Sequence, residues 1–408
     1  MVEIVLVCHL LSLCWYLCFA NTIIHCLGHL VNFREYIFTV TDDHEFQDEF
    51  INGSATEEHY MAVEFADLLK KLWDRGAKSN LLHYSADDLI SRFIEVLKND
   101  GLELKSDDYG NQQQQDCHDF LMDLLNYLDR CLPVTTKRRN FFFKEETTSK
   151  AESTAQEASK ENPKQQKKER LKQQLREALK DQQEDFKKEA YKSWNDWIKR
   201  RNSYSEIVNL FATQIVNEKT CVDCHNAVLD FTQINFHVSL PMDEVCTSVN
   251  NCFKKFMREE NIEKVCEKCH CKNSVKKESL VNCPKFLVLH LMRYGRDENN
   301  QAKVYNFLMG INTKINIRDY LHPNSPIITA KPNKRLDYNL VSIAEHMGDN
   351  PKSGHYTALC DSKVKDAGWI KFNDESVETK STKIAETYYT MKAYLLFYER
   401  DFDVDLVE

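Results

Sequence analysis

Gly354-His355-Tyr356, followed by Trp369-Ile370-Lys371-Phe372-Asn373-Asp374, reads as two neighbouring strands of one hairpin. His355 opens the first strand, and Gly354 before it permits close approach of another backbone. Asn373 ends the second strand, placed to orient the imidazole through its side-chain oxygen. Asp374 could do so instead, or support it from behind. Near the other end of the chain stands Cys18-Phe19-Ala20-Asn21. A thiol, an imidazole and an amide or carboxylate are the parts of a nucleophilic triad. A cysteine in an apolar run is more often a small buried hydrophobe. Position argues otherwise here. Cys18 precedes a helical stretch from Asn21, and at a helix N-terminus the amides and dipole favour thiolate.

A second signal is Cys221-Val222-Asp223-Cys224 with Cys266-Glu267-Lys268-Cys269. Two residues between thiols let both sulfurs of a turn reach one ion, and two such turns close a tetrahedron. All four positions would be filled by protein, so the site is expected to be structural, with zinc as the ion. His225, His270 and Cys271 lie beside the pairs and are read as bystanders. The alternative is two unrelated turns. A redox role is disfavoured because neither pair opens a thioredoxin-like βαβ unit.

Between these landmarks the pattern runs from helices to strands. Tyr60–Trp73 and Ala86–Leu97 carry apolar residues at helical spacing. Gln115–Arg130 puts Phe120, Leu121, Leu124, Leu125 and Leu128 on one face, with Asp116 as N-cap. Composition changes near 135. Thr147–Asn162 reads as disordered. From Pro163, Leu171, Leu175, Leu179, Phe186, Ala190, Trp194 and Trp197 form a thin helical stripe. After 205, Ile234, Phe236, Val238 and Leu240 alternate as a strand, and Phe286–Leu291 is a buried one. Tyr338–Ala344, His355–Cys360, Trp369–Phe372 and Ala393–Tyr398 complete a mainly antiparallel sheet. The class is α+β, helices first and sheet later.

The 408 residues carry a net charge of −9, which argues against nucleic acid as the main partner. The 15 cysteines are odd in number and lack regular disulfide spacing, so a reducing compartment, cytoplasm or nucleus, is expected. Ile4–Ala20 is apolar. Met1-Val2-Glu3 lacks a basic n-region, and the run is short for a span and holds His9 and Ser12. Neither a signal peptide nor a membrane segment is expected.

Taken together, these residues resemble the ubiquitin-specific proteases, papain-like deubiquitinases with thumb, fingers and palm. Cys18-Phe19-Ala20-Asn21 with Cys26-Leu27 resembles their cysteine box. Gln114-Gln115-Asp116-Cys117-His118-Asp119-Phe120-Leu121 is similar to their Gln-Gln-Asp-x-His-Glu-Phe-Leu signature. Cys283-Pro284-Lys285-Phe286 through His290-Leu291-Met292-Arg293-Tyr294 looks like their Leu-Pro…Leu-Lys-Arg-Phe strand. Gly354-His355-Tyr356-Thr357-Ala358 and Trp369 through Asp374 match their histidine box. The resemblance implies an isopeptidase in which Cys18, His355 and Asn373 or Asp374 act on the carboxyl end of ubiquitin. It implies Asp116 and Asp119 as contacts of the basic ubiquitin tail; helix capping is the other reading of Asp116. It implies zinc on Cys221, Cys224, Cys266 and Cys269. The expected division is thumb 18–135, insertion 136–203, fingers 204–285 and palm 286–408. Ubiquitin and ubiquitinated proteins are the expected partners, and similarity to compact members adds a WD40-repeat activator.

The chain departs from this family just before Cys18. Where the family reads Asn-x-Gly-Asn-Thr, this chain has Leu13, Cys14, Trp15, Tyr16 and Leu17. The first Asn would donate to the developing oxyanion, and losing one such donor costs about 2.7–4 kcal/mol. Residues 1–17 are therefore read as an aberrant join, from a misplaced exon or intron read-through. The rival is an impaired paralogue that binds ubiquitin as a scaffold. A third reading is a zinc-ribbon module for another ubiquitin-like modifier.

Overall fold

The computed structural model describes residues 10–11, 17–73, 83–84, 87–101, 114–132, 163–201, 204–296, 300, 302–330, 333, 335–363, 368–374, 376–380 and 386–401. The stretches Thr147–Asn162 and Leu13–Tyr16 lie outside these residues.

A short strand β1 (Leu10–Leu11) precedes α1 (Cys18–Gly28). All 11 residues of α1 are buried. Its polar residues Asn21, Thr22 and His25 are buried with the rest, so the helix is enclosed on every side. Phe19 meets Phe120 edge-on at 5.4 Å on one flank, and His25 stacks on Phe372 at 3.9 Å on the other. The orphan carbonyls at its end are satisfied: Arg34 donates to the Gly28 oxygen and Ser342 to that of Cys26. α2 (Val31–Thr41), α3 (His44–Ile51) and α4 (Glu57–Trp73) follow, then β2 (His83–Tyr84), paired with β1, and α5 (Asp87–Asn99). α6 (Cys117–Cys131) buries the predicted face of Phe120, Leu121, Leu124, Leu125 and Leu128. Among the described residues no helix is long and apolar enough to cross a membrane.

α7 (Pro163–Arg201) spans 39 residues. Its stripe divides. Leu171, Leu175 and Leu179 are 67%, 63% and 46% exposed, whereas Phe186, Ala190 and Trp194 are buried. The buried half docks on β4 (Ala227–Asn235): Ser193 donates to the Phe231 carbonyl, and Phe186 meets Phe231 edge-on. Asp129 of α6 is fully buried and gathers the chain on both sides of this excursion. It accepts from Arg201 at 2.8 Å and from the amide and hydroxyl of Ser205 at 2.9 Å each. Ser205 in turn caps α8 (Glu206–Phe211).

Two sheets complete the molecule. β3 (Thr213–Cys221), β4, β6 (Glu260–Glu263) and β7 (Asn273–Leu280) form a four-stranded antiparallel sheet ordered β4-β3-β7-β6. The second sheet has eight strands. They are β5 (Val238–Pro241), β8 (Phe286–Met292), β12 (Lys314–Asn316), β13 (Asp337–Asn350), β14 (Ser353–Asp361), β15 (Trp369–Asn373), β16 (Ser376–Lys380) and β18 (Ala393–Arg400). Their order is β16-β15-β14-β13-β18-β8-β5, with β12 on β13; only β5 runs parallel to its neighbour. Two small pairs, β9 (Tyr294–Arg296) with β10 (Ala302–Val304) and β11 (Met309–Asn312) with β17 (Thr387–Thr390), flank it. α9 (Val249–Phe256) and α10 (Pro326–Ala330) pack outside.

The predicted single strand through Ile234, Phe236, Val238 and Leu240 is two. β4 stops at Asn235, the chain bends at Phe236 and His237, and β5 joins the other sheet. The interval 204–285 expected as fingers therefore holds a strand of the palm. Val238 and Leu240 are fully buried beside β8, while Phe236 turns toward Trp197. The alternation simply runs on through a change of sheet.

The division of α7 predicts two different outcomes. Trp194→Ala should cost about 3–5 kcal/mol in urea unfolding, as expected for emptying a buried site. Leu175→Ala should change stability by less than about 0.5 kcal/mol.

Candidate active site

Cys18 is the first residue of α1, with its side chain fully buried. The backbone amide of Tyr356 donates to its sulfur at 3.4 Å, so the thiol lies against the residue that follows His355. His355 stands near the start of β14, opposite Met347 in β13. Gly354 has φ +111°, and a Cβ there would lie 2.1 Å from the Met347 carbonyl oxygen. Only glycine fits this turn, which sets where the imidazole begins.

β15 pairs with β14, which brings the end of the hairpin beside that ring. Nε2 of His355 lies 2.5 Å from Oδ1 of Asn373. Asp374 holds its Oδ2 3.8 Å from the same nitrogen, and its Oδ1 accepts from Nδ2 of Asn21 at 3.1 Å. Asp374 adopts φ +46° in the tight turn after β15. The structure thus brings Cys18, His355, Asn373 and Asp374 into one locality, with Asn373 in direct contact with the imidazole and Asp374 behind. Asn21 is the residue whose part the sequence left unread. Its position one turn after the thiol was the available signal, since residues three apart share a helix face.

The expected thiolate is not the resting form. Burial pushes the Cys18 thiol up to about 11, the Tyr356 amide opposes this, and the charge of Asp374 adds to it. Desolvation of the anion outweighs the pull of the helix N-terminus.

Asp116 and Asp119 part company. Asp116 is buried and caps α6: Oδ1 accepts from the His118 amide and Oδ2 from the Tyr394 hydroxyl, each at 2.8 Å. Burial raises its carboxyl above the usual range. Both oxygens are engaged within the chain, as the capping reading requires. Asp119 is exposed, with Oδ1 3.6 Å from Nδ1 of His118.

Some distance along the chain, at the tip of the four-stranded sheet, the four predicted cysteines meet. Cys221 and Cys269 sulfurs are 3.4 Å apart, Cys224 and Cys266 3.6 Å, and all four lie within 4.8 Å of one another. A tetrahedron with bonds of about 2.3 Å has edges of roughly 3.8 Å, so the donor set fits a metal ion. The two turns are alike. His225 and His270 donate their amides back to Cys221 and Cys266 and adopt φ of 54° and 60°. The Cys224 amide draws the Cys221 thiol down to about 6. Cys269, despite its bond from the Cys271 amide, is pushed up to about 12 by the thiols of Cys224 and Cys221. Four sulfurs this close cannot all ionise without a cation among them.

A sequence profile described as ubiquitin carboxyl-terminal hydrolase matches residues 14–398. The fruit-fly (Drosophila melanogaster) ubiquitin carboxyl-terminal hydrolase Usp2 is 25% identical over 392 residues, 94% of this chain and 34% of its own length. Human ubiquitin carboxyl-terminal hydrolase 2 is 25% identical over 392 residues, 94% of this chain and 53% of its own. This chain thus spans about a third to a half of these relatives. The Ubp8 chain of a SAGA DUB module bound to ubiquitin aldehyde superposes with a TM-score of 0.60 at 18% identity, covering 97% of this chain and 70% of that one. That likeness establishes the fold: α+β, with helical thumb, β fingers and sheet palm.

Two outcomes follow for the site. Gly354→Ala should lower stability by at least about 1–3 kcal/mol in urea unfolding, because the turn excludes a side chain. Peptide-resolved alkylation of Cys18 in the free protein should still be climbing at about pH 10, where a preformed thiolate would have reached its plateau.

Proposed function

The chain belongs to the ubiquitin carboxyl-terminal hydrolase family, and from that premise we propose that it is a thiol isopeptidase that releases ubiquitin from protein conjugates. The observation that carries the reading is the contact of His355 Nε2 with Asn373 Oδ1, next to a sulfur bonded by the Tyr356 amide. With Nε2 held by Asn373, Nδ1 is the nitrogen that takes the thiol proton. The sulfur of Cys18 then attacks the carbonyl carbon of the terminal glycine of ubiquitin. The bond to the lysine amine breaks, and His355 delivers the proton to that amine. Water, deprotonated by the same imidazole, adds to the thioester and frees the ubiquitin carboxylate. Asp374 acts on the imidazole through space and fixes α1 to the hairpin through Asn21. Asp119 is the exposed carboxylate suited to the basic ubiquitin tail; Asp116 shapes that region from beneath.

Zinc is the ion that we assign to Cys221, Cys224, Cys266 and Cys269, where it would tie the two finger turns together. Ubiquitinated proteins as substrates, a WD40-repeat activator and residence in cytoplasm or nucleus belong to the same proposal. The described cysteines are free thiols, which suits a reducing compartment.

A second reading, a ubiquitin-binding scaffold, is favoured by the buried, protonated sulfur and by Leu13 where the family has its oxyanion Asn. The backbone amides at the head of α1 would then be the donors offered to the oxyanion among the described residues on that side. One experiment separates the two. Ubiquitin with a carboxyl-terminal electrophile should label the chain, and Cys18→Ala should abolish labelling. Asn373→Ala should slow hydrolysis of a fluorogenic ubiquitin conjugate on the order of a hundredfold. Restoring the family segment by Leu13→Asn, Trp15→Gly, Tyr16→Asn and Leu17→Thr should raise turnover on the order of a hundred- to a thousandfold. A zinc-loaded chain that binds ubiquitin equally with and without Cys18, and is never labelled, is the scaffold.

A further inference from the structure

Three histidines with no part in the proposed hydrolysis meet between the thumb and the palm. His118 lies in the first turn of α6, His237 in the bend between β4 and β5, and His290 in β8. One ring nitrogen of each lies within 4.8 Å of one on each of the others. His118 stacks on His290 with centroids 4.2 Å apart and meets His237 edge-on at 4.5 Å. All three residues are half-buried, so each ring gives up part of its contact with water.

Each ring has its Nδ1 side occupied. Asp119 Oδ1 lies 3.6 Å from Nδ1 of His118, Ser239 Oγ 3.3 Å from that of His290, and Met122 Sδ 3.1 Å from that of His237. Asp119 beside His118 and Ser239 beside His290 are a carboxylate and a hydroxyl of the kind that anchors Nδ1 while Nε2 is presented to a metal ion; the Met122 sulfur at His237 is not such a partner. Nε2 of His118 is buried and has no hydrogen-bond partner.

We propose that His118, His237 and His290 form a second metal site, separate from the four cysteines, for a divalent transition ion of the zinc type. Three imidazoles with a fourth position open to water or an exogenous ligand suit such an ion. With bonds of about 2.0–2.1 Å the nitrogens would sit roughly 3.4 Å apart, so the rings must close in and the stacked pair His118 and His290 must turn out of parallel for their lone pairs to converge. The ion would fasten α6 to β5 and β8 across the thumb–palm junction. Tyr394, edge-on to His290 at 4.9 Å, links the site to Asp116 through its hydroxyl.

The test counts ions and does not depend on turnover, so it stands or falls apart from the hydrolase reading. The metal-stripped full chain is reloaded with Zn2+ alone and analysed by mass spectrometry, and with Co2+ for visible spectra. Two ions per chain are expected, one with thiolate charge-transfer absorption and one without. His237→Phe and His290→Gln should each hold one ion, keep the thiolate band and keep the far-ultraviolet circular dichroism. Asp119→Asn should weaken the second ion about ten- to a hundredfold, as loss of an outer partner does. A wild-type chain that binds a single ion, or histidine variants that still bind two, would overturn the site and leave a cluster of packed rings.

Discussion

The enclosure of α1 is the constraint on which the molecule depends. Every residue of this helix is buried, the polar Asn21, Thr22 and His25 included, so the thumb helices and the long sheet close on it from opposite sides. That closure brings residues more than three hundred positions apart into bonding distance. The Tyr356 amide reaches Cys18, Asn21 reaches Asp374, and Ser342 reaches the carbonyl of Cys26. The reactive geometry is thus a by-product of hydrophobic burial, sharpened by a few polar contacts.

The same burial sets the chemistry of the resting state. Removing the sulfur from water favours its proton, and a carboxylate nearby strengthens that preference. Asp374 therefore acts in two directions. It holds the hairpin to the helix through Asn21 and lies beside the His355 ring, yet it opposes a thiolate at Cys18. In the proposed hydrolase, new amide donors brought to the sulfur by substrate would act against that preference.

Much of this was legible in the sequence because it is local or motif-bound. The Asp116 cap, the apolar face of α6 and the buried run of β8 all follow from spacing. The paired Cys-x-x-Cys turns and the approach of His355 to Asn373 could be read from short segments. What escaped was set by topology. Period-two alternation through Ile234 and Leu240 carries no mark of the bend at Phe236 and His237 that moves the chain between sheets. The stripe on α7 announced a helix but not which half would find a partner. Asp129 and the three histidines come from separate elements, and no window of sequence contains them together. The pull of the helix N-terminus on Cys18 was visible; the depth of its burial was not.

Asp129 has a consequence for how the chain can vary. The excursion between α6 and α8 leaves and returns at a single buried carboxylate, which binds Arg201 and Ser205 more than seventy residues downstream. Its ends are pinned together whatever lies between them. For a flexible segment so closed, each doubling of length costs only about 0.6 kcal/mol of chain entropy. The stretch between α6 and the docked half of α7 can therefore change in length over evolutionary time with little penalty to the rest of the fold, provided that this knot and the contacts of Phe186 and Ser193 with Phe231 are kept.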